Sequence, residues 1–258
     1  MTESRAPNPA GAPAPSRGES RVPPDRRLII AIDGPSGAGK GTISRAVAAK
    51  LAYRHIDTGA MYRAVAWKSL CEGIDLADED AVVAIAGRAE FEVGEGVVRI
   101  DGHDIAEAIR TPEIDKAAAA VARQPRVREV LIARQRAMGQ DGGVVMEGRD
   151  IGTVVFPQAD VKIYLDASPE ERVRRRANDP AHAASRNGTA IHEVKSALEA
   201  RDHSDRTRAA SPLTQAADAV IVDTTGVSIE DAVRRVMEEV EKRLSPMVND
   251  QSSIINGQ

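Results

Sequence analysis

The chain has 258 residues, 42% hydrophobic and 29% charged, with a net charge of −4; that balance fits one large α/β domain and supplies no basic field for nucleic acid or an anionic membrane. Aromatic residues make up only 2%, so the core must come from Ala, Val, Ile and Leu, and single-strand binding by base stacking is disfavoured. The single cysteine, Cys71, rules out an internal disulfide and is expected as a small core residue on a helix; no apolar run nears the ~20 residues of a membrane span and no signal-peptide core is visible, which together point to the cytoplasm.

Residues 1–26 are rich in Pro, Ala, Ser and Arg without periodicity and are expected to form a disordered tail. Leu28–Ile32 is an apolar run of the length of a strand buried on both faces. It runs into Gly34-x-x-x-x-Gly39-Lys40, a Walker A loop, and then into an amphipathic helix from Thr42 to Leu51. Strand, glycine loop and helix in that order are what a phosphate cradle needs. Gly34, Gly37 and Gly39 let successive N–H groups turn inward, the helix N-terminus adds positive potential, and Lys40 adds a mobile cation. The general signature has Ser or Thr directly after the lysine, whereas here Gly41 intervenes and Thr42 follows. That G-K-G-T variant is associated with nucleoside monophosphate kinases.

Tyr53–Asp57 reads as a second strand, followed by a helix from Thr58, a plausible N-cap, to about Glu72. Arg63 lies near its start, past the end of a sheet strand, where open α/β sheets bind ligands. Asp80–Ala89 reads as a helix, and Phe91–Val93 with Val97–Ile100 as a hairpin. Pro112–Val121 and Pro125–Met138 read as helices with proline in the first turn. The second offers Val127, Val130, Leu131 and Met138 to the core, and its Arg126, Arg128, Arg134 and Arg136 are expected mostly on a solvated face.

Val144–Met146 is a third core strand, ending in Glu147-Gly148-Arg149-Asp150-Ile151-Gly152. A charged pair between glycines at a strand's carboxyl end points to a ligand site; a structural Arg149–Asp150 ion pair is the alternative. Val161–Asp166 is a fourth strand. Ser168, Pro169, Glu170 and Glu171 then start a helix that becomes an arginine cluster, Arg172 to Arg176. Residues 177–188 are small and polar and suit a mobile flap. Ile191–Arg201 reads as a helix that meets a second cluster, Arg201 to Arg208, interleaved with acids. Two arginine clusters flanking a flap fit a lid over a phosphoryl group better than a nucleic-acid patch. Ala219–Asp223 is a fifth strand, Ser228 caps a last helix from Ile229 to Leu244, and residues 245–258 are expected to be loose. Asp223-Thr224-Thr225-Gly226 matches a GTPase D-x-x-G, but it follows the last strand and no N-K-x-D occurs, so it is read as coincidence. The five histidines, His55, His103, His182, His192 and His203, lack metal-ligand spacing.

The segments I-D-G-P-S-G-A-G-K-G-T, D-T-G-A-M-Y-R, P-R-V-R-E, E-G-R-D-I-G-T-V-V-F-P, K-I-Y-L-D-A-S and R-D-x-x-D-R-x-R-A-x-S-P-L, in this order and spacing, resemble bacterial cytidylate kinases over about residues 28–244. The resemblance implies an α/β P-loop NTPase fold: a five-stranded parallel sheet in a core of residues 27–59 and 140–244. It also implies a nucleotide-binding insert with a small β element at about 60–139, and an arginine-rich lid at about 172–190. It implies transfer of phosphate from ATP to CMP or dCMP with Mg²⁺, in a monomer that binds neither nucleic acid nor membrane. ATP contacts are implied for Gly34, Pro35, Ser36, Gly37, Ala38, Gly39, Lys40, Gly41 and Thr42, and for Arg172 and Arg176, with Thr42 beside the metal. Arg63, Arg149 and Arg208 are implied near the acceptor phosphate, Arg201 and Asp205 near the ribose, Arg128 and Asp150 at the base, and Thr58 among the substrate contacts. Lys40, Arg149 and Arg208 form the implied catalytic set. Cytosine presents an N4 donor beside N3 and O2 acceptors, so a carboxylate next to a cation suits it and uracil presents the opposite pattern. A serine that the family often carries aligns here with Ala119. Another P-loop small-molecule kinase, or a nucleotide-dependent switch using the arginines, are the competing readings.

Overall fold

The computed structural model describes residues 27–94, 96–179 and 190–244. The expected tails, residues 1–26 and 245–258, and residues 180–189, which include most of the expected flap, lie outside the described residues. In chain order the elements are β1 (Ile29–Asp33), α1 (Lys40–Leu51), β2 (Arg54–Asp57), α2 (Thr58–Cys71), α3 (Glu79–Arg88), β3 (Phe91–Gly94), β4 (Val97–Ile100), β5 (His103–Asp104), α4 (Pro112–Val121) and α5 (Pro125–Gly139). There follow β6 (Val144–Gly148), a π turn (Ile151–Val155), β7 (Val161–Asp166), α6 (Pro169–Ala177), α7 (Ile191–Thr207), β8 (Val220–Asp223) and α8 (Ile229–Leu244).

The apolar run before the glycine loop becomes the middle strand of a five-stranded sheet, order β2-β6-β1-β7-β8, with every pairing parallel. Leu28, Ile30, Ala31 and Ile32 are fully buried, as a strand covered on both faces requires. On one face Ile30, Ile32, Val47, Val145, Ile163 and Leu165 pack with Val233, Val236 and Val240 of α8. On the other, Ala31, Ile56, Val144 and Met146 pack with Ile132 and with Ile151 and Val155 of the π turn. The residues between β2 and β6 gather two apolar clusters of their own. One holds Met61, Val65, Val82, Ile85, Val121, Val127 and Leu131; the other holds Val98, Ile100, Ile105 and Ile109. A three-stranded antiparallel sheet, β3-β4-β5, sits in this insert. Its third strand extends the expected hairpin, made possible by left-handed Asp101 and Gly102 (φ 49 and 78).

Three local expectations need correction. The N-cap of α2 is Asp57, whose carboxylate accepts the Ala60 N–H at 3.0 Å. Thr58 is already helical, and its hydroxyl donates to the Glu147 carbonyl at 2.7 Å, a cross-strand bond invisible to local pattern. Cys71 is exposed rather than buried, because the buried stripe of α2 ends at Ser69 and its last turn faces outward. Helix α1 starts at Lys40, not Thr42, since Gly39 at φ 89 makes the turn into it. By contrast Ser168 and Ser228 cap α6 and α8 through the Glu171 and Asp231 N–H groups, as their sequence positions require.

Gly34 couples the loop to the sheet. At φ 146 it adopts backbone that L residues avoid, and a Cβ there would lie 2.0 Å from the Leu165 carbonyl oxygen. Backbone cannot yield as a flexible side chain would, so Gly34→Ala is expected to lower stability by roughly 3 kcal/mol or more. The midpoint of urea unfolding measures this.

Candidate active site

Loops at the carboxyl ends of β1, β2 and β6 open on one cleft of about 640 Å³. Strand order sets its course. The central β1 delivers the glycine loop, the edge strand β2 leads into the insert, and the opposite edge strand β8 leads into α8. The cleft therefore passes from Ala118, Ala119 and Ala122 of the insert, across Lys40, to Thr224, Val227 and Ile229 beside α8.

Of the expected loop contacts, Ser36, Gly37, Gly39, Lys40, Gly41 and Thr42 line the cleft. Gly34, Pro35 and Ala38 do not. Gly34 packs on β7, Ala38 is fully buried in the core, and the Pro35 carbonyl accepts from Lys40 Nζ at 2.7 Å. The intervening Gly41 acquires a physical reason: a Cβ there would meet Glu147 Oε1 at 3.3 Å and Arg45 Nη1 at 3.6 Å. Glu147 is itself held by His55 Nε2 at 2.8 Å, both side chains buried. The missing side chain leaves that carboxylate room beside the start of α1.

Facing the loop, Arg149 and Asp150 do not pair with each other, so the simple structural ion pair is not formed. Arg149 Nε donates to Asp205 Oδ2 at 2.9 Å. Asp150 pairs with buried Arg128, and its other oxygen lies 3.6 Å from Arg208 Nη2. Arg128 also stands over the Tyr62 ring, 5.3 Å from its centroid. Arg201, Asp205 and, one residue past its end, Arg208 share a face of α7 by their four- and three-residue spacing. Helix α7 runs unbroken from Ile191 to Thr207, longer than expected, and so presents this cluster rigidly.

Asp115 of α4 is a meeting point that sequence reasoning missed. It accepts from Arg201 at 2.7 Å and has Arg63 at 4.0 Å and Arg176 at 3.9 Å. An acid in a helix's first turn looks like ordinary dipole compensation, so nothing local marks it. Arg63 also pairs with Asp57 at 3.1 Å, and Arg176 donates to Ser36 Oγ at 3.0 Å. Arg172 is absent from the cleft walls. It lies beneath the loop, donating to the Ser36 carbonyl at 3.1 Å and pairing with Asp202. Its neighbours Arg174 and Arg175 line the cleft instead, Arg175 being held by the Thr224 carbonyl at 2.6 Å. On α5 only Arg128 reaches the site: Arg126 pairs with Asp80, Arg134 donates to Gly87, and Arg136 donates to Val154 and Val155. The missed Glu147 sits in the same strand-end motif as Arg149 and could have been flagged there.

Among the described residues, cations outnumber carboxylates on the cleft walls although the chain is net −4. Burial pushes the Lys40 pKa down to about 7, and Arg149 adds to this while Glu147 and Asp205 oppose it. Burial also works against the charge on Arg149, but Asp205, with Asp202 and Glu147, together more than offset it and raise its pKa. Burial and neighbouring Arg128 lower that of Arg208. Such a crowd is stabilised by any polyanion that enters it. With a folded pKa near 7 and an unfolded one near 10.5, the cost of burying charged Lys40 is fully present below about pH 7. It fades as pH rises to 10.5. Lys40→Met is therefore expected to unfold at higher temperature than the parent at pH 6, with the gap narrowing toward pH 10; calorimetry at the two values checks this.

A family model described as cytidylate kinase matches residues 30–242. The chain is 45% identical over 220 residues to a cytidylate kinase of Solibacter usitatus, covering 85% of this chain and 95% of that protein. It is 47% identical over 215 residues to one of Desulfitobacterium hafniense, covering 82% and 92%. For one of Pelotomaculum thermopropionicum the identity is 48% over 218 residues, covering 82% and 95%. With the glycine loop, the strand-end arginine and the α7 cluster converging on one cleft inside that matched span, the chain belongs to the cytidylate kinase family.

Proposed function

We propose that this protein transfers the γ-phosphoryl group of ATP to CMP, and to dCMP, giving ADP and the pyrimidine diphosphate. The observation that carries the reading is that Lys40 and Arg149 line one cavity, close enough for the charge of Arg149 to bear on Lys40. A donor phosphate on the loop and an acceptor phosphate on the arginines then meet between them.

In this reading Ser36, Gly37, Gly39, Lys40, Gly41, Thr42 and Arg176 hold the ATP phosphates, with Arg174 and Arg175 alongside. Arg63, Arg149 and Arg208 hold the acceptor phosphate, beside Thr58. Arg201 and Asp205 orient the ribose, and Arg128 and Asp150 read the base. The acceptor is already an anion at neutral pH, so no general base is required; positioning and charge neutralisation do the work. Asp115 and Asp205 hold the guanidinium groups oriented for the incoming phosphate oxygens. Asp150, paired to Arg128, offers an acceptor next to a donor, which matches the cytosine N4 and N3 edge. Ala119 on the cleft wall adds no hydrogen bond, so discrimination against UMP falls on that pair.

The donor set near the loop, the Thr42 hydroxyl and the Glu147 carboxylate, is oxygen only and sparse, which fits Mg²⁺, an ion that keeps most of its waters. The chemistry supplied there would be neutralisation of phosphate charge during transfer. Thr42 would hold the ion directly or through water, and Glu147 through water.

A coupled assay of ADP release with each nucleoside monophosphate tests the reading. CMP and dCMP should be the best acceptors; AMP or UMP far above them would overturn it. Arg149→Ala should lower kcat/KM for CMP by on the order of 10³-fold with a nearly unchanged melting temperature. A variant that unfolds instead would assign Arg149 to the fold rather than to transfer.

A further inference from the structure

Asp33, the last residue of β1, has no role in the machinery above, yet its carboxylate is 5% exposed and fully engaged. Oδ1 accepts the Ile151 N–H at 2.9 Å and Oδ2 the Gly152 N–H at 2.7 Å. These are the first two donors of the π turn Ile151–Val155, which the turn itself cannot satisfy. The ordinary solution is a cap from the residue just before, here Asp150. The Asp150 carbonyl does accept from Val154 and Val155, at 2.9 and 3.1 Å, but its side chain caps nothing. That side chain faces Arg128 and Arg208 instead.

We propose that Asp33 is a positioning residue: by capping the Ile151–Val155 turn in place of Asp150, it frees the Asp150 carboxylate to read the nucleobase and ties the base end of the acceptor site to the strand that carries the phosphate loop. The inference rests on the CMP kinase reading above. The strand register makes the link short. Asp33 is paired with Gly148, so one residue on from each lie Gly34 and Arg149. Gly152 allows the close approach, since a Cβ there would already lie 3.4 Å from Asp33 Oδ2 and 3.2 Å from Lys162 Cδ. Burial raises the Asp33 pKa to about 6 and the two N–H bonds pull against that rise; Asp150 and Lys40 are the charges that bear on it. Asparagine at this position keeps one acceptor and turns a donor toward the second N–H, and Asp150 then becomes the nearest group able to cap the turn.

The test is a double-mutant cycle on full-length protein, with CMP and ATP binding measured by calorimetry alongside steady-state kinetics. Asp33→Asn should weaken CMP binding and raise its KM roughly tenfold, with ATP affinity changed by less than about threefold. In an Asp150→Asn background the same change should add less than about threefold, because the side chain it acts through is already altered. Additive effects, or equal losses for ATP and CMP, would overturn the proposal. If Asp33→Asn does not fold, Asp33→Glu carries the same cycle; if neither folds, Asp33 serves the fold and the proposal falls. A parent protein that does not phosphorylate CMP overturns the function itself, whereas an active parent with an additive cycle overturns only this positioning role.

Discussion

The pairing of β1 with β6 is the constraint on which the rest depends. It is a parallel pairing in the middle of the sheet, from Ile29 opposite Val144 to Asp33 opposite Gly148. Both strands end at the same level, and the chain leaves each one in a glycine-containing loop facing the same cleft. The register is specified by burial: a slip of one residue would turn Ile30, Ile32 and Val145 from the α1 and α8 face to the other. Two loops 115 residues apart in sequence, those that begin at Gly34 and Arg149, are thereby held at a fixed separation before any ligand arrives.

The second constraint is electrostatic. Burying several guanidinium groups together is expensive unless each finds a carboxylate. Asp115, Asp150 and Asp205 supply that, each drawing on arginines from more than one element. Asp205 shows the balance: burial works against its charge, and Arg149, Arg201 and Arg208 outweigh burial and hold its pKa low. Such pairs set geometry more than they stabilise the fold. They leave the arginines oriented and only partly neutralised, a state suited to exchange with phosphate oxygens.

The structure also explains a departure from the general loop signature. Gly41, where Ser or Thr is the rule, makes space for a carboxylate that reaches over from β6 and is braced by His55 from β2. The loop and the neighbouring strand end are thus matched in shape across the cleft.

Local physics determined much of this protein. Alternation of apolar runs with amphipathic stretches, serine caps at Ser168 and Ser228, and glycines before Lys40 specify strands, helices and a phosphate cradle without reference to the rest of the chain. Arg149 and Asp150 stood out because a charged pair between glycines at a strand end has few other reasons to be there. What only the tertiary structure decided is partnership. Arg149 turned to Asp205 and Asp150 to Arg128 rather than to each other. Arg172 went beneath the loop while Arg175 took the wall, and Asp33 and Asp115 found their partners 118 and 86 positions away. Pattern along a chain reports which face a residue occupies; which opposite charge it meets depends on strand order and on the crossing of distant helices, and no short stretch of sequence carries that.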